Sequence, residues 1–455
     1  MKKLLYSLIA VLLVSGVSAQ NPILYFMDGS TMRSQWNPAF APQRGYFNIP
    51  FLGGIQAEVQ GNLALDDILY MQNGEITTIL SSTVSASDAL SGLKDINRIG
   101  ASVNMNLLGF GAYTKNGKNF WSFDVNMRAD ASARAPYELF DFMKTGNAGN
   151  FSNLGFGADY YIETGFTYSM PVIDKLNVGV RAKFLMGVVH TAFNFDKFDA
   201  YTGADKWYAN IVGTMELSGI IPETTMTDDG TLIYDLEDFG SVEENIRIPG
   251  GYGFGLDIGA TYDVLPELQV SLSVCDLGFM SWSKDSTAIG RVDTNAEFSG
   301  VDVDIDGNIN QSVSDFGEID FAVVDEKGIS KALHASINAG AEYNFFDRRI
   351  GLGLFYRAKF WEYVTQHNIT ASANFRPVKW LHLSTSYSFL NNRGHSVGLA
   401  FNLCPGFINL YLATDVLLSK KTPQWIPISQ SNMNLTLGLA VPMGKKGLRN
   451  ASDNF

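Results

Sequence analysis

The chain has 455 residues, of which 46% are hydrophobic, 13% aromatic and 17% charged, with a formal net charge of -13. An acidic chain with no clustered basic surface excludes nucleic acid as a partner, and two cysteines exclude a disulfide framework. Beyond the first twenty residues no run reaches the roughly 18 consecutive apolar residues of a spanning helix, so a place in a membrane requires a closed sheet.

In chain order, residues 1–19 have Lys2 and Lys3, an apolar run from Leu4 to Val14, then Val17-Ser18-Ala19. That is the layout of a cleaved signal peptide. Without those two lysines, 31 Lys and Arg face 46 Asp and Glu, a net charge of -15. Residues 20–50 are not strand-like and are free to fold inward. From residue 51 to 445 the pattern changes to period two, and 446–455 is left as a tail.

The stretch Asn119 to Asp130, NFWSFDVNMRAD, is the clearest example. Trp121, Phe123, Val125, Met127 and Ala129 occupy one set of alternate positions; Ser122, Asp124, Asn126, Arg128 and Asp130 occupy the other. Such alternation is an extended strand with one apolar and one polar face. Similar runs start near Ile55, Ile99, Phe156, Leu176, Tyr252, Leu268, Leu333, Leu352, Ile369, Leu381, Val397, Ile408 and Met433. The total is about 14, each close to the 9 to 11 residues that a tilted strand needs to cross a bilayer.

Connections alternate in length. Short turns fall at Lys115–Lys118, Pro171–Lys175, Leu265–Glu267, Phe346–Arg349, Pro377–Lys379 and Pro405–Gly406; most of the others are long, including Val189–Gly250 and Cys275–Ala332. Barrels of bacterial outer membranes have short periplasmic turns and longer outer loops. The reading is therefore all-β, a single transmembrane antiparallel barrel of about 14 strands with an N-terminal plug-like segment, surrounded by outer-membrane lipid. Trp207–Leu217 also alternates, but a fifteenth stave would break the even count, so it belongs to an outer excursion. Asp66–Asp95 and Tyr137–Lys144 are expected to be partly helical.

Asp124, Arg128, Asp159, Glu163, Arg181, Lys183, Asp257, Glu342, Arg357 and Lys359 all fall on the non-apolar register and are the lumen-lining candidates. A cation on the lipid side at mid-bilayer costs about 2 to 4 kcal/mol, which lumen placement avoids. Tyr168, Tyr262, Tyr343, Trp361, Trp380 and Phe389 at strand ends suit interfacial girdles. Gly251, Gly253, Gly255 and Gly259 lie on an inward register and leave room for something in the lumen.

Catalytic chemistry has no foothold, and the chain is read as a non-enzyme. His190, His334, His367, His382 and His395 have no metal-ligand spacing, and no GxSxG elbow is present. No metal or cofactor is assigned. Asp302, Asp304, Asp306, Gly307 and Asn308 mimic a calcium loop, but Val313 stands where the bidentate Glu belongs, and a hairpin turning at Asp306-Gly307 fits better. Cys275 and Cys404 fall at opposite strand ends, beyond disulfide reach, and are expected to be free.

Asn37-Pro38-Ala39-Phe40, Asn48-Ile49-Pro50-Phe51-Leu52-Gly53-Gly54, and Ser271 to Phe279 followed by Trp282 together resemble an uncharacterised outer-membrane barrel family of Bacteroidota. That family is similar to FadL-like long-chain fatty-acid transporters and to the PorV and PorP-like barrels associated with type IX secretion. The resemblance implies 14 strands, a hatch carrying Asn37, Pro38, Ala39 and Phe40, and passage of small hydrophobic molecules. A non-transporting scaffold that displays its outer loops to a surface or secretion-system partner is the alternative.

Overall fold

The structure is a computed structural model, and it describes residues 22–63, 67–72, 75–202, 207–236, 246–298, 302–303, 309–311, 319–324, 327–390, 394–415 and 433–448. The signal-peptide segment 1–19, the turn at Asp306-Gly307 and most of the tail lie outside them; Asp302–Val303 does pair with Ile309–Gln311. Among the described residues no helix is long and apolar enough to cross a membrane.

Fourteen antiparallel staves close into a barrel. The first is broken into β1 (Arg44–Asn48) and β2 (Ile55–Gly61). Next come β3 (Ile96–Tyr113), β4 (Phe120–Pro136), β5 (Gly155–Ile173) and β6 (Leu176–Thr202). β7 (Trp207–Ser218) stands outside the ring. The ring continues with β8 (Gly251–Asp263) and β9 (Leu268–Trp282), passes over β10 (Thr287–Phe298), and resumes with β11 (Ser336–Phe345), β12 (Ile350–Phe360) and β13 (Thr365–Val378). It ends with β14 (Leu381–Leu390), β15 (Gly394–Leu403), β16 (Asn409–Thr414) and β17 (Met433–Lys446). β17 pairs with both β1 and β2, which seals the ring.

The two faces differ as period two requires. On β4, Ser122, Asp124, Asn126, Arg128 and Asp130 are buried inside, while Trp121, Phe123 and Val125 point outward. Around the wall Phe166, Phe254, Leu272, Leu354, Ile369 and Leu399 are exposed on the outside, a surface that only hydrocarbon accommodates at this extent.

Three sequence expectations need correction. The wall begins at Arg44 rather than at residue 51: Ile49 to Gly54 interrupts the first stave, and Pro50 cannot donate to a ladder, so β1 is too short to read as a strand. β9 runs on to Trp282 through a bulge, which puts Cys275 in mid-strand facing inward rather than at an outer end, and delays the long connection to Ser283. β6 has 27 residues. Its first half pairs with β8; its second half stays paired with β5 as far as Asn194 but on its other edge pairs with β7, outside the ring, which pairs in turn with β10. This outer lobe packs Phe151, Phe198, Ile211, Met215, Val292 and Phe321 into its own apolar core. Helix α1 (Ala86–Leu90) and helix α2 (Tyr137–Thr145) lie on the long-loop side, and both cysteines are free.

Candidate functional site

Residues 22–40 lie inside the barrel, in the half nearer the short turns. Two short 3-10 turns, Pro22–Phe26 and Thr31–Gln35, keep the segment compact. Its aromatic side chains Tyr25, Phe26, Trp36 and Phe40 pack with the inward Phe355 of β12. A second cluster, Ile23, Leu24, Met27 and Met32, packs against Tyr411 and Ala413 of β16.

Asn37, Pro38, Ala39 and Phe40 are held by wall positions that are glycine for steric reasons. Asn37 Nδ2 donates to the carbonyls of Ala260 (3.2 Å) and Leu272 (3.3 Å), and its Oδ1 accepts from Ala39 N at 2.9 Å. A Cβ on Gly259 would sit 2.1 Å from Asn37 Oδ1, and one on Gly179 would sit 2.0 Å from the Pro38 carbonyl oxygen. Ser169 donates to the Ala39 carbonyl at 3.0 Å. The Trp36 carbonyl accepts from Ser273 (2.5 Å), Asn338 (3.1 Å) and Cys275 (3.3 Å). Arg33 reaches Asp28 at 2.6 Å and lies 3.9 Å over the Phe40 ring.

The ten lumen-lining candidates fall into three groups. Eight form the middle one. Arg181, fully buried, holds Asp124 at 2.5 Å and Glu163 at 2.7 Å. Arg128 meets Glu163 at 2.9 Å, Lys183 meets Asp257 at 2.8 Å, and Arg357 and Lys359 cross the lumen toward β2 and β4. Glu342 sits near the short turns, paired with Arg376 at 2.8 Å, while Arg376 and Arg348 also flank Asp28. Burial alone would raise the Asp28 carboxyl, but Arg33, Arg376 and Arg348 outweigh it and hold the group below the usual carboxylate range. Asp159 lies at the long-loop end, where it contacts His190 at 2.8 Å. His190 faces Glu216 of β7 at 3.5 Å, and Lys331 bridges Glu216 (2.9 Å) and Glu362 (3.1 Å). The hydrogen bond from His190, together with Lys331, lowers the Glu216 carboxyl to about 2.

Three partners of the middle group were not among the ten candidates, although Asp130 already stood on the polar face of its strand. Glu58 of β2 faces Arg357 at 3.3 Å, Asp130 faces Lys359 at 3.4 Å, and Asp276 binds Lys183 at 2.7 Å. Asp276 turns inward because it sits in the β9 bulge with a left-handed φ of 61, a conformation that Asp tolerates better than most residues. The available signal was the spacing Val274, Leu277, Phe279, in which two residues intervene once where one is the rule. On the long-loop side of Trp36 the middle group encloses a polar cavity lined by Trp36, Arg128, Lys183, Asp276 and Lys359, with room for about one water. Trp361 also departs from expectation: at 5% exposure it points into the barrel mouth rather than into an interfacial girdle.

A sealed antiparallel ring, apolar outside and lined within by paired charges, is a membrane-spanning β-barrel. The chain belongs to the family described as "Family of unknown function (DUF5723)", whose profile matches residues 38–415. No curated protein matches the sequence. Among solved structures the chain is similar to the Ralstonia pickettii toluene transporter TbuX, with 10% identity, 94% of this chain and 99% of that one covered, and a TM-score of 0.46. It is also similar to the Pseudomonas putida toluene transporter TodX (8% identity, 94% and 95% covered, TM-score 0.40) and to a Pseudomonas aeruginosa FadL homologue (8%, 94% and 99%, TM-score 0.41).

Proposed function

We propose that the protein is a passive outer-membrane channel for small hydrophobic molecules, closed at rest by residues 22–40 acting as a hatch. One observation carries this reading: the apolar side of the segment lies behind a break in the wall. β1 meets β3 at Tyr46 and Phe47, and β2 meets it at Gln60 and Gly61. Between these points the two staves have no paired register among the described residues, and a backbone bond outside the ladders runs from Asn106 N to Gly54 O at 2.7 Å.

Outside the break stand Phe51, 59% exposed, and Leu52. Immediately inside is Met32, whose Sδ would lie 2.1 Å from a Cβ on Gly54. Displacing the segment joins an apolar surface in the lumen to lipid through the weakest ladder of the ring, a route suited to a solute that prefers hydrocarbon to water. The lumen charges, paired with one another, hold the wall and the segment in place rather than selecting ions.

The test is uptake of a hydrophobic fluorescent probe by cells. A deletion strain should be slow and a variant lacking residues 22–40 fast; equal rates in both and in the parent would end this reading. The outer lobe favours a second one, a scaffold presenting β7 and β10 to a surface or secretion-system partner. Cross-linking from the lobe that recovers no such protein counts against it.

A further inference from the structure

The long-loop end carries a second closure. β12 and β13 are joined by Trp361 to Val364, a turn closed by a bond from Trp361 N to Val364 O at 3.0 Å. An ordinary hairpin tip with this composition would stand in water or among lipid headgroups. Here Trp361, Tyr363 and Val364 are all buried.

They reach across the mouth. β12 and β13 are the ninth and tenth staves, whereas the surfaces that receive the tip belong to the second through the fifth. A Cβ on Gly100 of β3 would meet the Trp361 ring at 3.1 Å, one on Gly155 of β5 would meet the Tyr363 ring at 3.1 Å, and one on Gly157 would lie 2.9 Å from Glu362 Oε2. Three glycines on opposite staves thus form notches for three consecutive residues of the turn.

Polar contacts fix it there. Tyr363 Oη donates to Asn194 Oδ1 at 2.8 Å, and the Arg134 guanidinium lies 5.1 Å from the Tyr363 ring. Glu362 takes Lys331 at 3.1 Å. Trp361 is clasped between Lys359, 3.9 Å over its ring, and His334, stacked at 5.7 Å.

We infer that the Trp361–Val364 turn is an outer latch, so that the polar cavity beyond Trp36 is a chamber sealed on one side by residues 22–40 and on the other by this turn. Lys359 belongs to both the clasp on Trp361 and the ion pairs lining the chamber, so opening the latch loosens the wall charges next to the N-terminal segment. A solute then meets the two barriers in sequence. The inference concerns the end of the barrel opposite the segment and does not depend on what passes.

The test reads accessibility rather than transport. Ser336, which lines the chamber, becomes the reporter as Ser336→Cys in full-length protein carrying Cys275→Ala and Cys404→Ala. A membrane-impermeant methanethiosulfonate is added outside intact cells. The reporter should be inert in this background, and adding Tyr363→Ala or Glu362→Gln should raise its labelling rate at least tenfold. Gel migration with and without heating confirms that each variant retains a folded barrel. Fast labelling in the parent background, or unchanged labelling in both latch variants with the barrel folded, overturns the inference.

Discussion

Placing a methyl group on Gly179 should release the N-terminal segment from the wall. The added Cβ would lie 2.0 Å from the Pro38 carbonyl oxygen and 2.4 Å from Ala39 N, both main-chain atoms that no rotamer change can move aside. Ordinary contact requires the segment to retreat by more than an ångström, which draws Asn37 off the carbonyls of Ala260 and Leu272. Two such bonds contribute about 1 to 3 kcal/mol together, and overpacking adds about 1 to 3 more. A cost of about 2 to 6 kcal/mol shifts the docked population by about 30-fold to about 20,000-fold. Thiol labelling of a buried Ser34→Cys reporter, in protein lacking both native cysteines, measures that shift as a rate. Gly255→Ala is the comparison: its Cβ meets only side-chain carbons of Leu333 and Lys183 at 3.2 Å, and the rate should change by about twofold at most. Equal labelling in the two variants would refute the argument from main-chain proximity.

Further outcomes follow from the charges and the wall. Arg181→Met leaves Asp124 and Glu163 buried without their shared guanidinium and should cost about 3 to 5 kcal/mol in urea unfolding, part of which Asp124→Leu in the same chain restores. Leu354→Arg, near the middle of β12 and 56% exposed on the outside, should cost about 2 to 4 kcal/mol in the same assay performed in bilayers. Because the Asp28 carboxyl is depressed in the folded barrel, its contribution to docking is complete above the unfolded value of about 4 and fades as the pH falls below it. Hydrogen exchange in residues 22–40, corrected for intrinsic rate, should therefore increase between pH 5 and pH 3 in the parent and change little in Asp28→Asn.

The ring was legible because lipid imposes period two on every stave; β4 announces its two faces residue by residue. The outer lobe was legible only in part: parity set Trp207–Leu217 outside the ring, but the second half of β6 and all of β7 alternate like staves, and alternation alone does not say whether the apolar face meets lipid or the protein core at Phe321. Inward charges could be assigned from register, yet their division into three groups depends on which staves face each other across the lumen. Asp276 escaped because a bulge moves its side chain from one face to the other. Trp361 reads as an interfacial aromatic until Gly100, distant in sequence, is placed opposite it.

The closing ladder dictates an order of assembly. Most ladders of the ring join staves that are near neighbours along the chain, but the one that seals it sets Tyr46 against Pro442 and Ile55 against Leu437. Until β17 has been synthesised and delivered, β1 and β2 have no partner on that side and the cylinder stays open like a slit tube. Residues 22–40 lie inside what becomes the complete circumference, so the edge that zips last also encloses the segment seated against Gly179 and Gly259.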